Sequence, residues 1–103
     1  MMMNMRNVSV VRIYLTESGG AAQKLFQCLH DKEKVRGVTL FRGISGFGRS
    51  GVIHSSSLLD MSLDLPLVLE FFDDPDKVDR ILEDLKDHIQ PGHLVRWSAQ
   101  INE

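Results

Sequence analysis

The sequence predicts a single α+β domain of order βαββαβ, a ferredoxin-like sandwich with a four-stranded antiparallel or mixed sheet and two helices on one face. Three observations carry this: four runs rich in β-branched and aromatic residues, two stretches with apolar residues at helical spacing, and Gly/Pro breaks between them.

The first strand spans residues 8–16, where Val8, Val10, Val11 and Ile13 give little clean alternation, as in a central strand covered on at least one face. Ser18, Gly19 and Gly20 end it. Ala21, Ala22, Leu25, Phe26 and Leu29 then recur as one helical stripe, predicting a helix to residue 34 or 35 with Gly37 as its C-terminal cap. Residues 38–44 form the second strand, parallel in direction to the first across a right-handed crossover. Pro66 opens the third strand, residues 67–72. Asp73, Asp74 and Pro75 then supply an acidic N-cap and a proline at the first helical position.

The second helix has the clearest signature, with Val78, Ile81, Leu82, Leu85 and Ile89 on one face and Asp79, Arg80, Glu83, Asp84 and Lys86 opposite. Pro91 and Gly92 stop it. Residues 93–101 alternate, with Val95, Trp97, Ala99 and Ile101 on the side expected to be buried and Arg96, Ser98 and Gln100 on the other. Trp97 is expected in the core or at a subunit contact, and Arg96 could pair at that interface. Both helices on one sheet face leave the other face uncovered, and a neighbouring subunit is the expected cover.

At 103 residues, 43% of them hydrophobic and 25% charged, the chain is one globular domain with a modest core. A formal charge of −2 gives no general attraction for nucleic acid, so any anion site is local. Residues 1–7 read as a disordered leader and 8–103 as the domain; no signal peptide or membrane span is apparent, and a cytoplasmic location is expected. Cys28 alone excludes an internal disulfide and reads as a small buried hydrophobe. His30, His54, His88 and His93 show no metal-ligand spacing, so no metal site is expected.

The long loop over residues 45–65 draws the functional reading. Gly46-Phe47-Gly48-Arg49-Ser50-Gly51 spells G-x-G-x-x-G, and Glu70 follows at about the 20-residue distance of a dinucleotide fingerprint. That fingerprint must open a helix, and Val52-Ile53-His54-Ser55 does not. Two readings stay open: a mobile surface loop whose glycines only make turns, or a concavity of backbone N–H groups with Arg42, Arg49 and His54 as anion-binding neighbours. Lys24 lies near the first helix's N-terminus, as an anion contact or an exposed solubilising lysine. Tyr14 and Glu17 lie at the end of the first strand and Glu70 in the middle of the third; a carboxylate there reads as paired with an arginine such as Arg12 or Arg42 or as facing water, and nothing sets two carboxylates at catalytic spacing.

Three segments carry a resemblance: Arg12-Ile13-Tyr14-Leu15-Thr16-Glu17; Gly37-Val38-Thr39-Leu40-Phe41-Arg42-Gly43-Ile44 running into Gly46-Phe47-Gly48; and Asp64-Leu65-Pro66-Leu67-Val68-Leu69-Glu70. From about Val8 to Ile101 the chain resembles the bacterial family known as domain of unknown function one hundred and ninety, a PII-like group. The resemblance implies a regulatory homotrimer rather than an enzyme, without a cofactor. It would bind a small anionic effector such as ATP, ADP or AMP in clefts between subunits, at the base of the loop. Arg42, Gly43, Gly46, Gly48, Arg49, Gly51 and His54 would line the site, with Lys24 and Gly92 beside them. The loop would meet a target protein, for which a membrane transport protein is one candidate; the alternative is an adaptor that binds such a partner without any small ligand. The turn at Gln90-Pro91-Gly92-His93 is shorter than the glycine- and lysine-containing stretch of true PII proteins.

Overall fold

The computed structural model describes residues 2–55 and 64–103, His54 through its backbone. The strands are β1 (Met5–Thr16), β2 (Gly37–Arg42), the short β3 (Ser45–Gly46) and β4 (His54–Ser55), β5 (Pro66–Asp73) and β6 (Leu94–Asn102). The helices are α1 (Ala21–Asp31) and α2 (Pro75–Leu85), the latter running on into a 3₁₀ turn at Lys86–His88.

The main sheet has the order β2-β5-β1-β6, and every neighbouring pair is antiparallel. β1 and β2 therefore run in the same direction, as the βαβ pattern predicts, but β5 lies between them. That is the split arrangement, and it resolves the antiparallel-or-mixed alternative to antiparallel. β3 and β4 form a separate small ribbon, pairing Ser45 with Ser55 and Gly46 with His54.

One sheet face carries the core. Val11 and Ile13 of β1 and Leu69 and Phe71 of β5 meet Leu25 and Leu29 of α1 and Val78, Ile81 and Leu85 of α2. The helical residues are the ones that the stripe spacing selects, because positions three, four and seven apart share a face. Removing this apolar surface from water is the main favourable term in folding.

α1 stops at Asp31, short of the expected residue 34 or 35. Lys32 N and Glu33 N both donate to Cys28 O at 3.0 Å, Val35 N donates to Leu29 O, and Lys34 takes a left-handed φ of 52°. Lys34 thus does the work expected of Gly37. Gly37 instead opens β2, where a Cβ would lie 2.6 Å from the Phe72 ring, so its lack of a side chain serves strand packing.

At the start of α2 the N-cap residue is Asp74 with Pro75 behind it, as expected, but the Asp74 side chain makes no cap hydrogen bond. It holds Arg6 instead, at 2.8 Å to Nε and 2.6 Å to Nη2. This clamp accounts for a correction at the N-terminus: Met5, Arg6 and Asn7, assigned from the sequence to a disordered leader, extend β1 and pair with Asn102, Ile101 and Gln100.

β6 corrects a second expectation. The strand alternates as read, but register places Leu94, Arg96 and Ser98 opposite Ile13, Val11 and Ser9, on the helix side. Val95 and Trp97 face away from the helices and are 47% and 40% exposed. Arg96 pairs within the chain, donating to Asp79 at 2.6 Å, Ser9 Oγ at 3.0 Å and Pro75 O at 3.2 Å. β6 is an edge strand: on its helix side Leu94 packs against the core, while Arg96 meets the polar flank of α2.

Candidate functional site

The candidate site lies at the sheet end where β1 and β2 finish and β5 begins. Glu17 follows β1, and a 3₁₀ turn at Ser18–Gly20 leads into α1. Three backbone donors tie this end together. Glu17 N donates to Leu65 O at 3.0 Å, Gly43 N to Pro66 O at 2.7 Å, and Ser18 N to Asp64 Oδ1 at 2.9 Å. Both sides of the 45–65 segment are thereby anchored beside the β1–α1 turn. Gly43 is required there, because a Cβ would come within 2.9 Å of Pro66 Cγ.

A cleft of about 460 Å³ opens between the entry of α1 (Gly20, Gln23) and the sheet (Leu40, Leu67), with Glu17 and Arg42 as its charged groups. The Arg42 side chain is 68% exposed and its Nε lies 2.5 Å from Glu17 Oε1. The oxygen is nevertheless buried without an aligned hydrogen bond among the described residues. The pair is thus a charge contact whose N–H does not aim at the acceptor.

The structure brings some of the expected residues together and separates others. Arg42 faces the cleft, and Gly43 and Gly46 sit against Pro66. Gly48 and Gly51 bound a turn, Gly51 N donating to Gly48 O at 2.9 Å with φ of 75° at Gly51. Arg49 is exposed within that turn and does not line the cleft. The His54 backbone pairs with Gly46; its side chain, and residues 56–63 of the loop, lie outside the described residues. Lys24 is exposed on α1 and is not part of the cleft wall.

Gly92 is at the same end of the sheet as Arg42 but at the other edge. Its turn is held by Tyr14 N donating to His93 O at 2.8 Å. With β5 and β1 between β2 and β6, three strand spacings separate the two, about 14 Å across the sheet. One chain therefore does not form a pocket containing both.

Glu17, which the sequence sets at the end of the first strand, is a cleft residue that was left out of the expected site. The available signal was topological: an acid just past one strand and a base at the end of its parallel partner fall at the same end of the sheet.

The sheet face away from the helices is lined by Tyr14, Phe41, Val95 and Trp97, each 40–47% exposed. Near its centre Arg12 Nε donates to Glu70 Oε1 at 2.7 Å, as the sequence suggested for Glu70, and the Arg12 guanidinium lies 5.7 Å from the Trp97 ring centroid. Among the described residues no group of three or more His, Cys, Asp or Glu could hold a metal ion, and no helix is long and apolar enough to cross a membrane.

The DUF190 family model, described as an uncharacterised ACR, matches residues 8–101. The chain belongs to the DUF190 family. It is 33% identical over 81 residues to a UPF0166 protein of Aquifex aeolicus, covering 75% of this chain and 77% of that one. A UPF0166 protein of Methanocaldococcus jannaschii is 27% identical over 95 residues, covering 88% and 87%.

Among solved structures, the DUF190 chain is similar to CPII of Thiomonas intermedia bound to ADP and bicarbonate, with a TM-score of 0.67 and 20% identity over 99% of this chain and 93% of that one. A putative PII-like signalling protein of Thermus thermophilus gives a TM-score of 0.64 at 16% identity, covering 98% and 93%. The DUF190 fold is PII-like. The divalent ion tolerance protein CutA1 of Ehrlichia chaffeensis shares it at a TM-score of 0.54, 13% identity, and coverage of 100% and 84%. Such different proteins on one fold mean that function must be argued from the site.

Proposed function

We propose that this DUF190 protein is a PII-like regulatory homotrimer that binds a small anionic effector, an adenine nucleotide, in clefts between subunits at the base of the 45–65 loop. The observation that carries the reading is the placement of Arg42 and the Gly92 turn at one end of the sheet on opposite edges. A second copy presenting its Gly92 edge to the Arg42 edge would complete a cleft that one chain leaves open. The half-exposed apolar sheet face supports association, since a further layer would remove Tyr14, Phe41, Val95 and Trp97 from water. Arg42 supplies a fork of donors suited to phosphate. ADP in the CPII structure supports a nucleotide as the ligand class.

Calorimetry with ATP, ADP, AMP and adenosine tests the ligand, and light scattering tests the assembly. Saturable binding of at least one nucleotide by a trimer is the expected result. A monomeric mass at micromolar concentration would remove the inter-subunit cleft.

One observation favours a second activity at the same loop. Ile44, Phe47, Val52 and Ile53 are 77%, 74%, 57% and 65% exposed on and around the β3–β4 ribbon. Bulky apolar groups grouped on a projecting segment suit a protein partner, such as a membrane transport protein, whether or not a nucleotide is bound. Phe47→Ser with Ile53→Ser should abolish such binding and leave nucleotide affinity within about twofold.

A further inference from the structure

Resting on the reading of Arg42 as the effector's anion contact, we propose that Glu17 is a built-in competitor for that anion. It occupies the guanidinium in the empty site and must be exchanged when the effector binds.

The two partners are unequal. Glu17 is fixed by its own N–H to Leu65 O, its neighbour Ser18 is tied to Asp64, and its side chain is only 24% exposed. Arg42 is the long and exposed member, 68% open to solvent. Their contact is close in charge terms, yet Oε1 of Glu17 receives no aligned N–H. A guanidinium binds best when two parallel N–H groups meet two oxygens, and a phosphate offers that geometry to an exposed arginine. Exchange of a misaligned carboxylate for an aligned phosphate is therefore favourable at Arg42.

It has a cost at Glu17. The released carboxylate stays partly buried beside an incoming negative charge, which opposes binding. Competition for Arg42 and repulsion of the anion both disappear when the acid is replaced by its neutral isostere. Glu17 thus acts through Arg42 as a positioning residue and sets the affinity for anions. A neutral ligand is indifferent to it.

The test is titration of the full-length protein and of Glu17→Gln with ADP, inorganic pyrophosphate and adenosine, following the Arg42 Nε–H signal by NMR alongside calorimetry. Glu17→Gln should bind ADP and pyrophosphate about two- to fivefold more tightly, the range expected when a solvent-exposed ion pair no longer competes, and should leave adenosine unchanged. A merely structural Glu17 would lower affinity on substitution, so the direction of the change is itself diagnostic. Glu17→Asp, which keeps the charge but shortens the reach, should fall between the two.

Unchanged or weaker anion binding in Glu17→Gln would overturn the proposal, as would an equal gain for adenosine. If ADP fails to bind either protein while pyrophosphate still moves the Arg42 signal and binds Glu17→Gln more tightly, the competitor stands and the nucleotide reading falls. If neither anion perturbs Arg42 in either protein, both fall.

Discussion

At the end of β5, the Asp73 side chain is 3% exposed and accepts from Asp74 N at 2.7 Å, from Arg36 N at 3.1 Å and from Lys77 Nζ at 3.0 Å. At the opposite end of the sheet, Glu17 contacts Arg42 in an open cleft, with an oxygen that has no aligned donor. Both are carboxylates beside a cation, yet only the first is enclosed by donors from the start of α2 and the turn before β2. A buried charge is tolerable when its lone pairs are filled, and such a group fixes structure. A half-satisfied pair at an open cleft can change partners, which suits binding.

The largest effect expected from this contrast is at the closed end. Asp73→Ala should cost roughly 2–4 kcal/mol in urea unfolding, because it strips a buried acceptor from three donors at once. A loss below about 0.5 kcal/mol, the range of an ordinary surface change, would break the comparison.

Glycines sharpen it next. Gly37→Ala drives a Cβ into the Phe72 ring and should cost about 1–3 kcal/mol by overpacking. Gly48→Ala, with nothing within 4 Å of the added carbon, should stay within about 0.5 kcal/mol.

Arg42→Ala should show the reverse profile. Its unfolding free energy is expected to move by less than about 0.5 kcal/mol, while nucleotide affinity falls at least about tenfold. A large stability loss with unchanged affinity would assign the open end to structure.

The smallest effect is in pH dependence. Burial, together with hydrogen bonding and repulsion from Asp84, holds the Glu33 carboxyl above its ordinary value of 4.5, against the pull of Lys32 and Lys77. Its protonated form is favoured in the folded protein, so its contribution is full below pH 4.5 and is lost as pH rises to the folded value. Glu33→Gln should therefore gain stability relative to the parent above pH 4.5 and match it in acid. Asp73 has the opposite sign. Burial would raise its pKa, but the hydrogen bonds from Asp74, Lys77 and Arg36 and the Lys77 charge outweigh that and hold it below 3.8. Its stabilisation is present above pH 3.8 and disappears as pH falls to the folded value. Urea midpoints for the parent, Glu33→Gln and Asp73→Asn across this range would check both signs.

The contrast also explains what was legible in the residues. The elements, the helical faces at Leu25 and Leu29 and at Val78, Ile81 and Leu85, and the N-cap at Asp74 follow from local spacing and chain chemistry. Within the candidate site, Arg42 and Gly43 were legible as the base of the loop. Asp73 was read only as part of an acidic helix start; its role as a hub required knowing that Arg36 and Lys77 converge on it. Lys34 in place of Gly37 at the α1 terminus was not legible either, since a lysine carries no positional preference for positive φ, and Gly37 was needed against Phe72.

By itself the sequence determined the order of elements, the residues that share a face on each, and the loop that breaks between the second and third long strands. Those are consequences of periods two and 3.6 and of Gly and Pro, all of them local. Only the tertiary structure decided that the apolar side of β6 points away from the helices, that Gly92 and Arg42 lie at opposite edges, three strand spacings or about 14 Å across the sheet, and that Glu17 holds Arg42. Alternation says which side chains point the same way, but not what covers them. That depends on register and strand order, which bring together residues distant in the chain.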